Sequence, residues 1–294
     1  QWGDAEPVAF TGLAAASFLL NPERGPDSPA PVEAEKGIAF LLKNAQPDGG
    51  IYVKARANYN TSLALMALLL HPKLENEEVM LAARRFIIGQ QNDFDEKGKT
   101  DNPFDGGVGY GTPKPGVPAH ADLSNTHFAL EALHHAQALL ADKGDAGKNE
   151  PQLNFSAAIK FIENCQNRPE TNKAGWVSDD PKDRGGFIYS PGETRGGETK
   201  TADGRTALRS YGSISYAGLL SFIYAGLDKN DPRVKAVLDW LSENYTLDEN
   251  PGLGAEGLFY YYHTMAKGLA VAGVDFIKTR DGRVIDWRAD LAQK

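Results

Sequence analysis

The chain alternates between two kinds of hydrophobic pattern, and each kind predicts a different helix. Stretches such as SLALMALLL are apolar on nearly every side, whereas stretches such as EEVMLAARRFIIGQ carry one apolar stripe and a charged face. A helix that is apolar all round is buried, and a helix with a single apolar stripe is half exposed. We therefore expect inner and outer helices in alternation. The inner helices are opened by Thr11, Thr61, Thr126, Ser215 and Thr264, and the outer helices lie near 32–45, 77–90, 152–165 and 231–244.

A turn that runs from Gln to Gly-Gly recurs between the outer and the inner helices. It reads LLKNAQPDGGIY at 41–52, with longer versions at 86–110 and 161–189, and a fourth copy at 240–260 has Tyr245 in place of the glutamine. The Thr or Ser that follows each turn is of the type that caps backbone N–H groups at a helix start. Repetition at a period of about 50 residues predicts helical hairpins stacked side by side, with the two helices of each pair antiparallel.

The Gln…Asp-Gly-Gly-x-Tyr turns, each followed by a helix rich in small residues, resemble the squalene-hopene cyclase and protein prenyltransferase β-subunit superfamily. The resemblance covers nearly the whole chain in five tandem copies. It implies an all-α fold, an (α/α) toroid of helical hairpins around a central cavity, in the form of an incomplete α6/α6 barrel. It also implies that the glutamine side chain ties neighbouring hairpins together and that the glycine-aromatic turn packs over it.

We expect one domain over residues 1–294, cut at both ends of a larger ring. QWGD at the start has the pattern of the tail of another turn, and DWRADLAQK at the end has that of an outer helix that stops just after it begins. No linker rich in Pro, Gly or Ser divides the chain. The truncation predicts an exposed apolar edge, either bare or covered by a chain partner.

Composition narrows the classes of partner. Lys and Arg number 31 against 39 Asp and Glu, and the resulting net charge of -8 argues against nucleic acid, because phosphate binding needs a basic surface. The single cysteine excludes an intramolecular disulfide and a cysteine-rich zinc or iron–sulfur site. No apolar run reaches the roughly 18 residues that a membrane span needs, so no integral membrane segment is expected.

Polar and aromatic residues recur where the inner helices begin, above apolar helix bodies. In a toroid all inner helices run the same way, so these residues meet at one mouth, where each helix N-terminus adds roughly +0.5 charge and unpaired N–H groups. Such a mouth can attract an anion and can form the polar rim of an oily cavity, which suits an amphipathic small-molecule ligand. The candidate ligand-binding residues are Asn58, Asp122, Ser124, Asn125, His127, Arg209, Tyr211, Tyr261 and His263.

Two motifs of the family that this chain resembles are incomplete. His263 stands in YYYHTMAK, which resembles the segment that supplies the zinc-binding histidine of protein prenyltransferases, but the Asp-x-Cys pair of that site is missing from ALRSYGSISYAGL. One histidine cannot hold a tetrahedral zinc, so no metal and no cofactor is expected. The Asp-x-Asp-Asp-Thr acid of squalene-type cyclases is matched by Asp122-Leu-Ser124-Asn125-Thr126. Ser124 takes the place of the proton donor, and a hydroxyl is too weak an acid to protonate an alkene.

The residues and the resemblance together favour a terpenoid-cyclase- or prenyltransferase-like protein that binds an isoprenoid or lipid-like ligand in its central cavity. They assign no catalytic residue and leave open whether the protein is an enzyme. Two alternatives stand beside this function. One is a non-catalytic binding module, in which side chains fill the ring. The other is a carbohydrate-active, polysaccharide-lyase-like α/α toroid, in which exposed aromatic residues line an open groove.

Overall fold

A computed structural model of the chain describes residues 2–25, 28–71, 73–111, 120–141 and 143–294. Most of its regular structure is helical, which confirms the expectation of a mostly helical fold. The helices are α1 (Pro7–Leu19), α2 (Val32–Lys43), α3 (Ala57–Leu69), α4 (Glu77–Ile88), α5 (Leu123–His135), α6 (Ala138–Ala141), α7 (Gly144–Lys148), α8 (Phe155–Cys165), α9 (Gly212–Tyr224), α10 (Pro232–Glu243), α11 (Leu258–Val271) and α12 (Trp287–Gln293).

Two short antiparallel hairpins were not expected from the sequence. Strand β1 (Glu198–Lys200) pairs with β2 (Thr206–Leu208), and β3 (Phe276–Lys278) pairs with β4 (Val284–Asp286). Both turns read Lys-Thr-x-Asp-Gly-Arg, and in both the arginine Nε donates a 2.8 Å hydrogen bond to the aspartate. Strands of three residues are too short to show a period of two, but Asp-Gly between polar residues is itself a hairpin signal.

The chain contacts divide into two compact units, each of which draws on several segments. The first unit is Gln1–Asn92, Val108–Ala121 and Phe128–Asn154. The second unit is Asp93–Gly107, Asp122–His127 and Phe155–Lys294.

In the first unit, α1 packs against α2 and α3, and α3 packs against α4. Most side chains of α3 are buried, whereas α4 is amphipathic and buries one stripe that includes Met80 and Ile87. The prediction that the helix after Thr61 is buried and the helix at 77–90 is half exposed is therefore confirmed. The Arg84 side chain is also fully buried, and its guanidinium donates to the carbonyl of Pro151 at 2.7 Å.

In the second unit, α9 packs against α8, α10 and α11. Nearly every residue of α9 is buried, while α10 buries only Val234, Val237, Trp240 and Leu241. An apolar segment such as SYAGLLSFIY can be buried on all sides because other helices surround it. The expected burial of α9 and half exposure of α10 are thus confirmed. The same expectation was wrong for the helices that contain Thr11 and Thr264, because α1 and α11 each bury fewer than half of their residues. Fewer helices pack around α1 and α11 than around α3 and α9.

The Thr and Ser residues that align the inner helices do not cap them. Thr61 and Ser215 lie one turn inside α3 and α9, and their hydroxyls donate to the carbonyls of Ala57 at 2.6 Å and Tyr211 at 2.8 Å. The same oxygens accept backbone N–H groups of the preceding turn. The N–H of Ile51 donates to Thr61, and the N–H of Phe187 donates to Ser215, both at 2.9 Å. The capping prediction was wrong, because these hydroxyls satisfy the turn rather than the helix end.

Glutamine side chains connect the second and third turns to the helix that follows each in the array. Gln166 Nε2 donates to the carbonyls of Gly185 and Arg233, both at 3.0 Å, and Arg233 belongs to α10. Gln91 exchanges two 2.9 Å hydrogen bonds with the backbone of Asn154, which immediately precedes α8. The role that the family resemblance implied for this glutamine is therefore present at two junctions.

The first and fourth turns vary this connection. Gln46 Nε2 donates to the carbonyl of Tyr52 at 2.8 Å, within its own turn. Tyr245, which replaces the glutamine, donates its hydroxyl to Asp290 of α12 at 2.7 Å. The phenol of Tyr245 reaches further than a glutamine amide and binds a side chain of α12. The turn is therefore still linked to the helix that follows it, through a different donor.

The first glycine of each Gly-Gly pair lies against the backbone of the next outer helix. Gly106 and Gly185 have φ of 85° and 96°. A Cβ built on them would stand 2.0 Å from the carbonyl oxygen of Ala157 in α8 and 2.2 Å from that of Ala236 in α10. Gly49 has the same arrangement against α4. Only glycine combines this backbone conformation with so close an approach.

Candidate functional site

The second unit brings the N-terminal ends of α9 and α11 to the first turn of α5. Ser124 Oγ and Tyr260 Oη, 136 residues apart in sequence, lie 2.9 Å from each other. Tyr211, the residue before α9, is only 4% exposed, and Tyr260 is close enough to act on its phenol electrostatically. These three side chains form the candidate site, which we call the hydroxyl rim.

The electrostatic environment of the hydroxyl rim disfavours negative charge. Burial raises the pKa of the Tyr211 phenol far above its ordinary value, and the neighbouring Tyr260 raises it further, while Arg195 opposes them. Asp122 and Glu193 add smaller contributions that also raise this pKa. Tyr211 is therefore a neutral phenol at physiological pH.

Arg195 is the cation that lowers the pKa of Tyr211, and it is already paired. Its guanidinium lies 5.7 Å from the centre of the Tyr189 ring and 3.1 Å from a carboxylate oxygen of Glu256. Burial lowers the pKa of this guanidinium, but Tyr211 and Glu256 outweigh burial and raise it. The side chain is more than half exposed, so this pair is a surface ion pair of small energy.

The N–H groups that the sequence analysis expected to be open to an anion are used within the fold. Leu123 at the start of α5 donates to the carbonyl of Tyr189 at 2.9 Å, and Gly212 at the start of α9 donates to that of Pro251 at 2.8 Å. In the first unit, the N–H of Asn58 likewise donates to a carbonyl of the following turn. A backbone carbonyl from a turn thus takes the place of the expected anion at each of these helix starts.

Asp122 and Asn125 form a closed pair at the start of α5. The carboxylate of Asp122 accepts the backbone N–H of Asn125 at 2.8 Å and its Nδ2 at 2.7 Å, and both side chains are fully buried. This is the geometry of a helix N-cap. The Oδ1 of Asn125 is buried and has no hydrogen-bond partner among the residues that the structure describes.

His127 and Asn58 are buried inside their own units. The Nδ1 of His127 lies 3.2 Å from the carbonyl oxygen of Ser124, one turn earlier in α5. Asn58, in the first unit, donates its Nδ2 to the carbonyl of Gly109 at 3.0 Å and accepts from the Ser62 hydroxyl. Both residues hold local backbone in place.

Three other predicted site residues are Tyr261, His263 and Arg209. Tyr261 is buried and donates its hydroxyl to the carbonyl of Thr246 at 2.9 Å. His263 is one of the exposed residues of α11. Arg209 donates to Thr199 of β1 at 3.2 Å and lies 3.6 Å from the carboxylate of the buried Asp183.

Sequence reasoning missed Tyr260, Tyr189 and Arg195. Tyr260 precedes Thr264 by four residues, which is the position that Asp122 and Tyr211 hold before their own Thr or Ser. Applying that register to α11 selects Tyr260 in place of Tyr261. Arg195 lies in an insertion without a counterpart in the other repeats, so no pattern indicates it.

Searches for other features of the site and for relatives were negative. Over the described ranges, no group of three or more His, Cys, Asp and Glu side chains is arranged to hold a metal ion. No helix in the part of the chain described here is long and apolar enough to cross a membrane. No protein-family model matches the chain, and no curated protein matches it.

Proposed function

We propose that the chain is a terpenoid-cyclase- or prenyltransferase-like protein whose helical hairpins belong to an (α/α) toroid, and that it binds an isoprenoid or lipid-like ligand. Support for the toroid comes from the repeated connections of its turns. The first and third turns are bonded to a buried helix through Thr61 and Ser215. The second and third turns are bonded toward the next amphipathic helix through Gln91 and Gln166. Connections that repeat from hairpin to hairpin are typical of a curved array of hairpins.

The hydroxyl rim is the observation that carries ligand binding. Polar hydroxyls of Ser124 and Tyr260 stand at the helix ends, and the body of α9 beyond Tyr211 is almost entirely apolar and buried. A few polar groups above an apolar interior are what an amphipathic ligand requires, since its head needs hydrogen bonds and its chain needs exclusion from water.

The residues at the start of α5 favour a protein that binds the ligand without protonating it to start a cyclisation. Ser124 occupies the position that would hold the proton donor, and its hydroxyl is paired with Tyr260. The one carboxylate of the motif, Asp122, caps α5. A capped carboxylate and a serine hydroxyl provide no strong acid toward an alkene.

An apolar surface on α1 supports a chain partner as well. Phe10, Phe18 and Leu20 are 41%, 38% and 64% exposed, and α1 contains no charged residue. Exposed apolar surface of this kind favours association. Sedimentation velocity over a range of protein concentrations tests it, and a Phe18→Glu chain that sediments identically to the parent would oppose it.

The ligand proposal is tested by native mass spectrometry after incubation of the full chain with geranylgeraniol, an uncharged isoprenoid alcohol. We expect a one-to-one complex that Tyr211→Ala weakens and Tyr245→Phe leaves unchanged, because Tyr245 binds Asp290 of α12 and not the hydroxyl rim. Circular dichroism establishes that each variant is folded. Absence of any complex, or equal binding by a folded Tyr211→Ala chain, would refute the proposal. Binding of an acidic oligosaccharide in its place would favour the carbohydrate-active alternative.

A further inference from the structure

We infer that the hydroxyl rim selects an isoprenoid with an uncharged head, bearing a hydroxyl or a carbonyl group, over the corresponding diphosphate. This inference rests on the proposed function, because it concerns the ligand of the same site. Three observations carry it: the donors that a diphosphate would need are occupied, the local field resists negative charge, and the polar groups present at the rim are hydroxyls.

The backbone N–H groups at the starts of α5 and α9 are already hydrogen-bonded within the fold. Proteins bind phosphate groups with the N–H groups of helix N-termini. At the starts of α5 and α9 the first N–H is taken by the carbonyls of Tyr189 and Pro251. A further N–H at each start is taken by a side chain, that of Asn125 by Asp122 and that of Ser213 by Asn250 Oδ1 at 2.9 Å. A diphosphate would have to displace acceptors that the fold itself provides.

The cationic side chains are neutralised in the same way. Arg195 is paired with Glu256, and Arg209 is directed to Asp183 and to the hydroxyl of Thr199. Diphosphate recognition needs charge-assisted hydrogen bonds from several cations. Each arginine here would first have to leave a carboxylate.

The surroundings of Tyr211 also disfavour a diphosphate. Burial is the main reason that its pKa is raised, and the surrounding Tyr260, Asp122 and Glu193 raise it further against the opposing effect of Arg195. A site that resists one negative charge on a phenol resists the larger charge of a diphosphate more strongly.

The hydroxyl pair suits an uncharged head. In the contact between Ser124 and Tyr260 either oxygen can be the donor. The pair can therefore turn a donor or an acceptor toward a ligand hydroxyl or carbonyl. A neutral head of this kind is desolvated at far lower cost than an anion.

The test compares the affinities of the full chain for geranylgeraniol and for geranylgeranyl diphosphate by isothermal titration calorimetry at moderate salt. We expect the alcohol to bind at least about 10-fold more tightly. A diphosphate that binds equally or more tightly overturns the inference and leaves the proposed function standing. If neither compound binds, the proposed function fails and the inference falls with it.

Single substitutions distinguish the contribution of the rim hydroxyls from that of the Arg195–Glu256 ion pair. Tyr260→Phe and Ser124→Ala each remove a rim hydroxyl and should weaken alcohol binding by roughly 2- to 10-fold, the effect of one hydrogen bond. Glu256→Gln releases Arg195 and should strengthen diphosphate binding by about 2- to 5-fold, the effect of an exposed ion pair, without changing alcohol binding. Tyr245→Phe is the matched control and should change neither affinity. An unchanged alcohol affinity in both hydroxyl variants would contradict the inference.

Discussion

Replacement of Gly185 by Ala tests whether the Gly-Gly turn packs on the next outer helix as the structure describes. Gly185 has φ of 96°, and a Cβ on it would meet the carbonyl oxygen of Ala236 in α10 at 2.2 Å. Ordinary contacts of a Cβ begin near 3.4 Å, so the turn and α10 would have to separate by about 1 Å. A backbone carbonyl inside a helix cannot move aside as a flexible side chain can.

Two costs add at this position. The strained backbone conformation costs about 1–3 kcal/mol, and forced separation of packed elements costs about 1–3 kcal/mol more. A gain of about 0.4–1 kcal/mol comes from the lower entropy of the unfolded chain when Ala replaces Gly. We therefore expect Gly185→Ala to lower the free energy of unfolding by about 2–5 kcal/mol.

Two other glycines of the second unit are matched controls. Gly226, just beyond α9, has φ of 97° but no atom within 4 Å of a built Cβ, so Gly226→Ala carries the strain without the collision. Gly175 has neither a positive φ nor a near neighbour, so Gly175→Ala should be neutral or slightly stabilising. Urea denaturation followed by circular dichroism gives the three free energies, and the Gly185 variant should fall about 1–3 kcal/mol below the Gly226 variant.

The comparison has one outcome that refutes the reasoning. If Gly185→Ala and Gly226→Ala unfold at the same urea concentration with the same slope, the collision with α10 does not exist. In that case the turn is not seated on α10, and one of the contacts that support an array of connected hairpins is lost.

Three further predictions concern the junctions, a hairpin and the missing acid. Gln166→Leu leaves the carbonyls of Gly185 and Arg233 without their donor, so we expect a loss of about 1–3 kcal/mol in urea denaturation, and an unaltered midpoint would contradict the link. Hydrogen bonds from Thr201 and then Arg205 lower the pKa of Asp203 to about 2. Because the folded pKa is lowered, the stabilisation that Asp203 provides is complete above about pH 4 and is lost as the pH falls toward 2. Carboxyl NMR titration should find that low midpoint for Asp203. A midpoint at the ordinary Asp value would contradict the prediction. Incubation with squalene or oxidosqualene should yield no polycyclic product by gas chromatography, because Ser124 stands where the proposed resemblance places the proton donor. Any product that depends on the protein would overturn this prediction.

The sequence by itself determined the helices and their order. Periodicity placed the outer helices within a few residues of Val32–Lys43, Glu77–Ile88, Phe155–Cys165 and Pro232–Glu243. It also distinguished the buried α3 and α9 from the half-exposed α4 and α10, because a helix surrounded by others must be apolar on every side. It did not do so for α1 and α11, which are apolar in sequence but half exposed. The Gln and Gly-Gly signals located the junctions, since only glycine tolerates the close approach found there.

The tertiary structure decided which side chains meet. Successive residues of a helix point about 100° apart, so the choice between Tyr260 and Tyr261 depends on how α11 is rotated, and a cluster of tyrosines in the sequence does not settle that rotation. The sequence also did not reveal the hydrogen-bond acceptors at the helix N-termini. Leu123 and Gly212 donate to carbonyls of turns that lie more than 35 residues away in the chain. Local patterns report whether a residue is buried, but contacts between distant segments depend on the packing of the whole unit. The hydroxyl rim, built from Ser124 and Tyr260, is such a contact.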